Sequence, residues 1–167
     1  VKPVVRLGDP GDIEGAARVW ARATAIRDGK REIPPLEAAK RVLLAGLREE
    51  RSTFVVAAGE GEVLGFATAE PTTSRRVAEV RYVGVDPDCW GGGVGGMVMA
   101  RMADELALAG FHSAQLLVYA DNVPARRLYE RMGWHWDGRR PSIHPRTGKP
   151  EVRYRLPLRP GRAATTR

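Results

Sequence analysis

Five glycines occupy the six positions Gly91-Gly92-Gly93-Val94-Gly95-Gly96, between an apolar run and a long amphipathic stretch. Backbone without side chains approaches an anion closely and takes up positive φ. The first N–H groups of a helix lack partners within it, and the macrodipole puts roughly half a positive charge there. The chemistry on offer is the holding of a diphosphate by main-chain nitrogens, with no basic side chain required. Other reactive residue types lie around this loop: Cys89 beside it, Glu79 on the run leading to it, and Asn122 and Tyr129 further along.

These groups need elements to position them. Ala78 to Val85 reads as a strand, and Val94, Met97, Val98, Met102, Leu106 and Ala109 form a helical stripe after the loop. The order is strand, anion loop, helix. Upstream, Val4 to Leu7 is a short strand, and Asp12 is expected to N-cap a helix whose Ile13, Ala16, Ala17, Trp20 and Thr24 share one face. Pro35 starts a second helix with Leu36, Ala39, Leu43 and Leu47 at helical spacing. Thr53 to Ala58 and Val63 to Ala69 read as a hairpin turning at Gly59-Glu60-Gly61. Downstream come a strand from Ala114 to Tyr119, a helix from Val123 to Met132 capped by Asn122, and strands near Trp134 to Asp137 and Val152 to Leu156. This order predicts an α/β fold with a mixed, largely antiparallel central sheet flanked by helices.

Gly91, Gly93 and Gly96 also satisfy the dinucleotide pattern G-x-G-x-x-G, with Asp121 as a ribose-binding acid. In that fingerprint the first glycine sits on the strand-to-helix turn of an opening βαβ unit. Here the residues from Asp86 to Trp90 intervene and the unit lies mid-chain, so spacing argues against a nicotinamide site.

Val85-Asp86-Pro87 followed by Trp90-Gly91-Gly92-Gly93-Val94-Gly95 resembles the acyl-CoA signature of the GNAT superfamily of N-acetyltransferases. That signature is Gln or Arg, two residues, Gly, one residue, then Gly or Ala; Trp90 departs from its first position. A second block, Leu116, Val118, Asn122, Ala125, Leu128, Tyr129, Gly133 and Trp134, is similar to the family's later pattern in type and spacing. The two blocks span Glu79 to Trp134.

The resemblance implies a GNAT-like acyltransferase domain over residues 1–157, using acetyl-CoA as cosubstrate and no metal. It implies direct transfer of an acetyl group to the primary amine of a small-molecule or peptide acceptor. The glycine-loop amides, from Gly91, Gly92 and Gly93 through Val94, Gly95 and Gly96, would fix the diphosphate. Val83 and Val85 would align the pantetheine and polarise the thioester, while Asn122 and Ala125 would contact the coenzyme. Tyr129 matches the position where the family commonly has a tyrosine that protonates the departing thiolate. Alone, its spacing with Ala125, Leu128 and Met132 equally suits a core tyrosine on an amphipathic helix. Glu79, in Ala78-Glu79-Val80, resembles the catalytic glutamate of the histone-acetylating branch, although it could instead form a solvated pair with Arg81. Family architecture further implies acceptor entry between the Arg27 to Pro34 loop and the Arg139 to Pro150 segment, and homodimers are a family habit.

Composition narrows the alternatives. The 167 residues, 43% hydrophobic, suffice for one domain with one sizeable core. No apolar run approaches the roughly 18 residues of a membrane span, and no leader pattern opens the chain, so a soluble, cytoplasmic protein is expected. The first residue is Val rather than Met, which leaves the true start open. The net charge of +7 is concentrated at one end: residues 139–167 hold nine Lys or Arg against Glu151 alone. Residues 158–167 have the composition of a solvated basic tail without interleaved aromatics, which argues against a nucleic-acid partner. Cys89 has no neighbouring His to activate it and reads as a structural thiol. His112, His135 and His144 lack metal-ligand spacing, and Arg75 and Arg76 suit a solvated turn. A non-catalytic acyl-CoA-binding regulatory module is the rival to an enzyme.

Overall fold

The computed structural model describes residues 2–159. In chain order its elements are β1 (Val4–Leu7), α1 (Ile13–Arg27), α2 (Leu36–Ala45), β2 (Thr53–Gly59), β3 (Glu62–Pro71), β4 (Val77–Val85), α3 (Val94–Leu108), β5 (Ser113–Tyr119), α4 (Val123–Arg131), β6 (His135–Trp136), β7 (Ser142–Ile143) and β8 (Pro150–Pro157). The strands form one eight-stranded sheet ordered β1-β2-β3-β4-β5-β8-β6, with β7 also paired to β8. Every pairing is antiparallel except β4 with β5. The α/β fold expected from the pattern of elements, a mixed and largely antiparallel sheet flanked by helices, is the one that forms.

Alternation along each strand divides the core between two faces. On β2, Val55 and Ala57 turn toward α3 and α4, joining Val80, Val98, Met102, Leu116, Val118 and Tyr154. Phe54 and Val56 turn the other way, joining Ala16, Ala17 and Val19 of α1, Leu43 of α2 and Phe66. Within the hairpin turn Glu60 (φ 52°) and Gly61 (φ 84°) are both left-handed, the conformation that matches the twist of flanking strands.

One irregularity shapes the middle of the sheet. The β3–β4 register passes from Thr68–Tyr82 to Ala69–Val80, leaving Arg81 as an unpaired bulge. Pairing between β4 and β5 covers only Val77–Val80 against Ser113–Leu116. Beyond it β4 continues to Val85 and β5 to Tyr119, so the two strands part as a fork.

Several local expectations are revised. Asp12 stands at the N-cap of α1 but makes no capping bond to it. Its carboxylate instead accepts from the Asp9 N–H (2.9 Å) and pairs with Arg6 (2.6 Å), because a single 3-10 turn at Pro10–Asp12 precedes the helix. On α3, Met99 is buried and Ala109 is the exposed C-cap, so the apolar stripe is centred differently from the predicted one. Trp134 is buried ahead of β6, and the two-residue β7 was too short to register as a pattern. Leu158, assigned by composition to the tail, is buried and donates its N–H to the His112 carbonyl (2.9 Å). The remainder of the expected tail, from Pro160, lies outside the described residues. Among the described residues no helix is long and apolar enough to cross a membrane.

Candidate active site

The glycine loop closes β4 through a short 3-10 turn, Pro87–Cys89, in which the Asp86 carboxylate accepts from the Asp88 N–H (3.0 Å). Gly91 (φ 77°) and Gly93 (φ 83°) are left-handed, and a Cβ built on either would meet nothing within 4 Å. Glycine is therefore demanded there by backbone conformation, and open space lies outside it. Since α3 begins at Val94, the N–H groups of Gly93 to Gly96 are those the helix leaves without intrahelical acceptors. Gly92 differs: its N–H is spent on the Cys89 carbonyl (3.2 Å). Its contribution to a cradle is the missing side chain, since a Cβ would stand 3.1 Å from that same carbonyl.

Two tethers hold the loop. Trp90, at the position where the family motif carries Gln or Arg, donates its indole N–H to the Val85 carbonyl (2.9 Å). Arg22 of α1 bonds both Asp86 and Asp88, the latter at 3.0 Å. That guanidinium offsets two carboxylates that would otherwise repel an anion beside them.

The fork supplies further main-chain groups. The Asp86 N–H donates to Leu64 of β3 (2.8 Å), so alternation turns the Gly84 groups toward β3 and those of Val83 and Val85 toward β5. With β5 diverged, Val83 and Val85 face the gap. The Val85 carbonyl is taken by Trp90; the Val85 N–H and both Val83 groups remain for an occupant.

α4 flanks this gap through contacts with α3. A Cβ on Gly95 would touch Leu128 (3.0 Å) and Val85 (3.4 Å), so the small residue lets the helices and strand approach. Asn122 caps α4 by accepting from the Ala125 N–H (3.3 Å). That bond occupies the Ala125 N–H and leaves the Asn122 amide N–H groups free to donate. Tyr129 is 7% exposed, with Trp134 and Tyr154 rings at 6.2 and 6.3 Å. Burial pushes its phenol up to about 12, against a smaller lowering by Arg27. Among the described residues its hydroxyl makes no hydrogen bond, whereas that of Tyr154 bonds Glu130 (2.7 Å) and Arg126 (3.0 Å). Tyr129 is thus both a core residue and a neutral, uncommitted donor.

The opposite sheet face carries the charged groups. Glu79 lies beside Gln115 of β5 and Glu70 of β3, and the bulged Arg81 bridges Glu79 (3.3 Å) and Glu70 (3.4 Å). The pairing considered from sequence therefore exists, enlarged to a triad. Sequence reasoning missed the neighbours that β8 brings to this face. Glu151 pairs in register with Tyr119, and burial pushes its carboxyl up despite Arg27 and His144 nearby. Arg27 stacks over Tyr119 at 4.8 Å, and Thr147 bonds the Tyr119 hydroxyl (3.2 Å). A lone acid in a basic segment was the only sequence signal for Glu151.

The remaining candidates stay peripheral. Cys89 is half-buried in the turn, packed beside the larger core. His144 accepts from the Arg146 and Thr147 N–H groups (3.3 and 3.1 Å) and shapes its own turn, while His112 and His135 are exposed. The described residues contain no cluster of His, Cys, Asp and Glu able to hold a metal.

Comparison with known proteins places this geometry. The model of the Acetyltransferase (GNAT) family matches residues 19–134. A mycothiol acetyltransferase of Streptomyces griseus subsp. griseus is 38% identical over 81 residues, 48% of this chain and 26% of that protein. One from Brachybacterium faecium is 36% identical over 89 residues, 52% of this chain and 27% of that protein. The chain thus matches only about a quarter of the length of these curated relatives. Among solved structures, yncA of Salmonella typhimurium with its cofactor acetyl-CoA has a TM-score of 0.77 at 19% identity, covering 98% of both chains. The ribosomal-protein-S18-alanine N-acetyltransferase of Escherichia coli gives 0.74 at 20% identity, covering 99% of both. At these identities the likeness is one of fold.

Proposed function

The chain belongs to the acetyltransferase (GNAT) family, and on that premise we propose that it transfers the acetyl group of acetyl-CoA to a primary amine by direct attack in a ternary complex. The observation that carries this reading is the fork between β4 and β5 opening onto the glycine-rich start of α3. The amides of Gly91 and of Gly93 to Gly96 grip the diphosphate, with Arg22 cancelling the charge of Asp86 and Asp88. Pantetheine lies along the Val83 and Val85 main chain, and an N–H there polarises the thioester carbonyl. A neutral amine entering from the Glu79 face attacks the carbonyl carbon. Its surplus proton leaves to that face, through Glu79 or water. The C–S bond breaks while Tyr129 donates a hydrogen bond to the departing sulfur, and the thiolate takes its proton from solvent. Holding both reactants at the fork supplies much of the rate.

Calorimetry with acetyl-CoA and free CoA, followed by an amine panel with free-thiol detection, tests this. Association with both and acceptor-dependent thiol release are expected. Binding without turnover across the panel leaves a regulatory acyl-CoA module, and no binding removes the coenzyme assignment altogether.

A further inference from the structure

β8 places Glu151 and Arg153 on the same face, two residues and about 7 Å apart along the strand. They border a small cavity of about 60 Å³ that Leu117, Asp137, Arg139 and Arg140 also line. Leu117 is the first β5 residue past the last β4 pair, so the cavity begins where the fork opens. Its charges are unevenly committed. Asp137 accepts from the Arg139 N–H on Oδ1 (3.0 Å) and stands 3.9 Å from that exposed guanidinium, while its Oδ2 is buried without a hydrogen-bond partner among the described residues. Arg153 has no carboxylate within ion-pair distance among the described residues, and its Nε is buried without a partner. Glu151 likewise takes no hydrogen bond or ion pair there. A half-buried carboxylate and a half-buried guanidinium, side by side yet unpaired with each other, each await an opposite charge.

We infer that Glu151 and Arg153 form the head-group subsite for the acceptor, and that the acceptor is an α-amino acid: its ammonium meets Glu151 while its carboxylate meets Arg153, with Arg140 at the rim. The inference rests on the acetyl-transfer reading and narrows its substrate class. An ammonium and a carboxylate one carbon apart, each with one charge-assisted hydrogen bond, span about the spacing of the two side chains. Burial raises the Glu151 carboxyl, which suits it to accept the ammonium proton and leave the neutral nucleophile at the fork.

The test compares alanine, leucine and phenylalanine with their carboxamides as acceptors, using the full chain and acetyl-CoA. A lost charge-assisted hydrogen bond predicts a preference for the acids of roughly ten- to a hundred-fold in kcat/KM. Arg153→Ala is expected to shrink that ratio to a few-fold, and Glu151→Gln to lower kcat/KM for acids and amides alike. Arg140→Ala, at an exposed position, reduces the ratio less and guards against misfolding of the strand variant. Amides used as well as acids, or no acid acetylated although acetyl-CoA binds calorimetrically, would overturn the inference; the cavity then holds water. Failure of acetyl-CoA itself to bind would instead strike the proposed function.

Discussion

Replacing Tyr129 by Phe tests the acid and its environment together. The phenol is raised from 10 to about 12 by burial, whereas a free thiol has a pKa near 8.5. Complete proton transfer to the thiolate is uphill by about 3.5 pKa units, or about 5 kcal/mol. Tyr129 therefore acts chiefly through a hydrogen bond that strengthens as the C–S bond breaks, worth about 1.5–3 kcal/mol for a charged partner. The expected result is a fall in kcat of roughly ten- to a hundred-fold with a much smaller change in acetyl-CoA affinity. The same variant has a stability signature. A group raised in the fold contributes stability that is full below its unfolded pKa and is lost as pH climbs toward the folded value. The parent should thus lose about 1.4 kcal/mol relative to the Phe variant between pH 8 and pH 11. Urea unfolding at the two pH values measures that difference. Unchanged kcat would remove Tyr129 from the reaction, and parallel pH–stability curves would refute its burial as a neutral phenol.

Arg22→Ala unties the loop from α1 and exposes Asp86 and Asp88 to the bound phosphates; calorimetry should show acetyl-CoA affinity falling several-fold, about 1 kcal/mol. Gly93→Ala forces a side chain into φ 83° and should cost about 1–2 kcal/mol in unfolding free energy, with weaker coenzyme binding; an unaltered Tm would contradict the assigned backbone. Arg6 holds the Asp12 carboxyl below its usual range, so its stabilisation is present above pH 4 and lost as pH falls through the lowered value. Asp12→Asn should therefore flatten the acid limb of a pH–stability curve, read by denaturant unfolding.

The glycine loop and both motif helices were legible because their signals are local. Positive-φ glycines and apolar spacing at 3.6 residues act within one turn or one element. The β2–β3 hairpin and the mixed, largely antiparallel character of the sheet followed from turn signals and alternation. The fork was not legible, since it depends on one bulged residue, Arg81, and on where β4 and β5 stop pairing, which are properties of register between distant segments. Asp12 deceived for a related reason: Arg6 and the Asp9 N–H compete for its carboxylate better than the helix does. The Glu151 and Arg153 cavity arises because β8 returns beside β5 and brings the last charged stretch over the fork, a long-range pairing that composition alone cannot register.

Arg22 and Arg27 project from one rigid rod, about 7.5 Å apart along its axis. The first ties down the glycine loop through Asp86 and Asp88, and the second lies over Tyr119 beside the proposed acceptor subsite. A tilt of that rod displaces both ends at once. On the proposed reading, lesions along α1 will raise the Michaelis constants for coenzyme and acceptor together, a signature of shared mechanical support rather than of lost contact with either substrate.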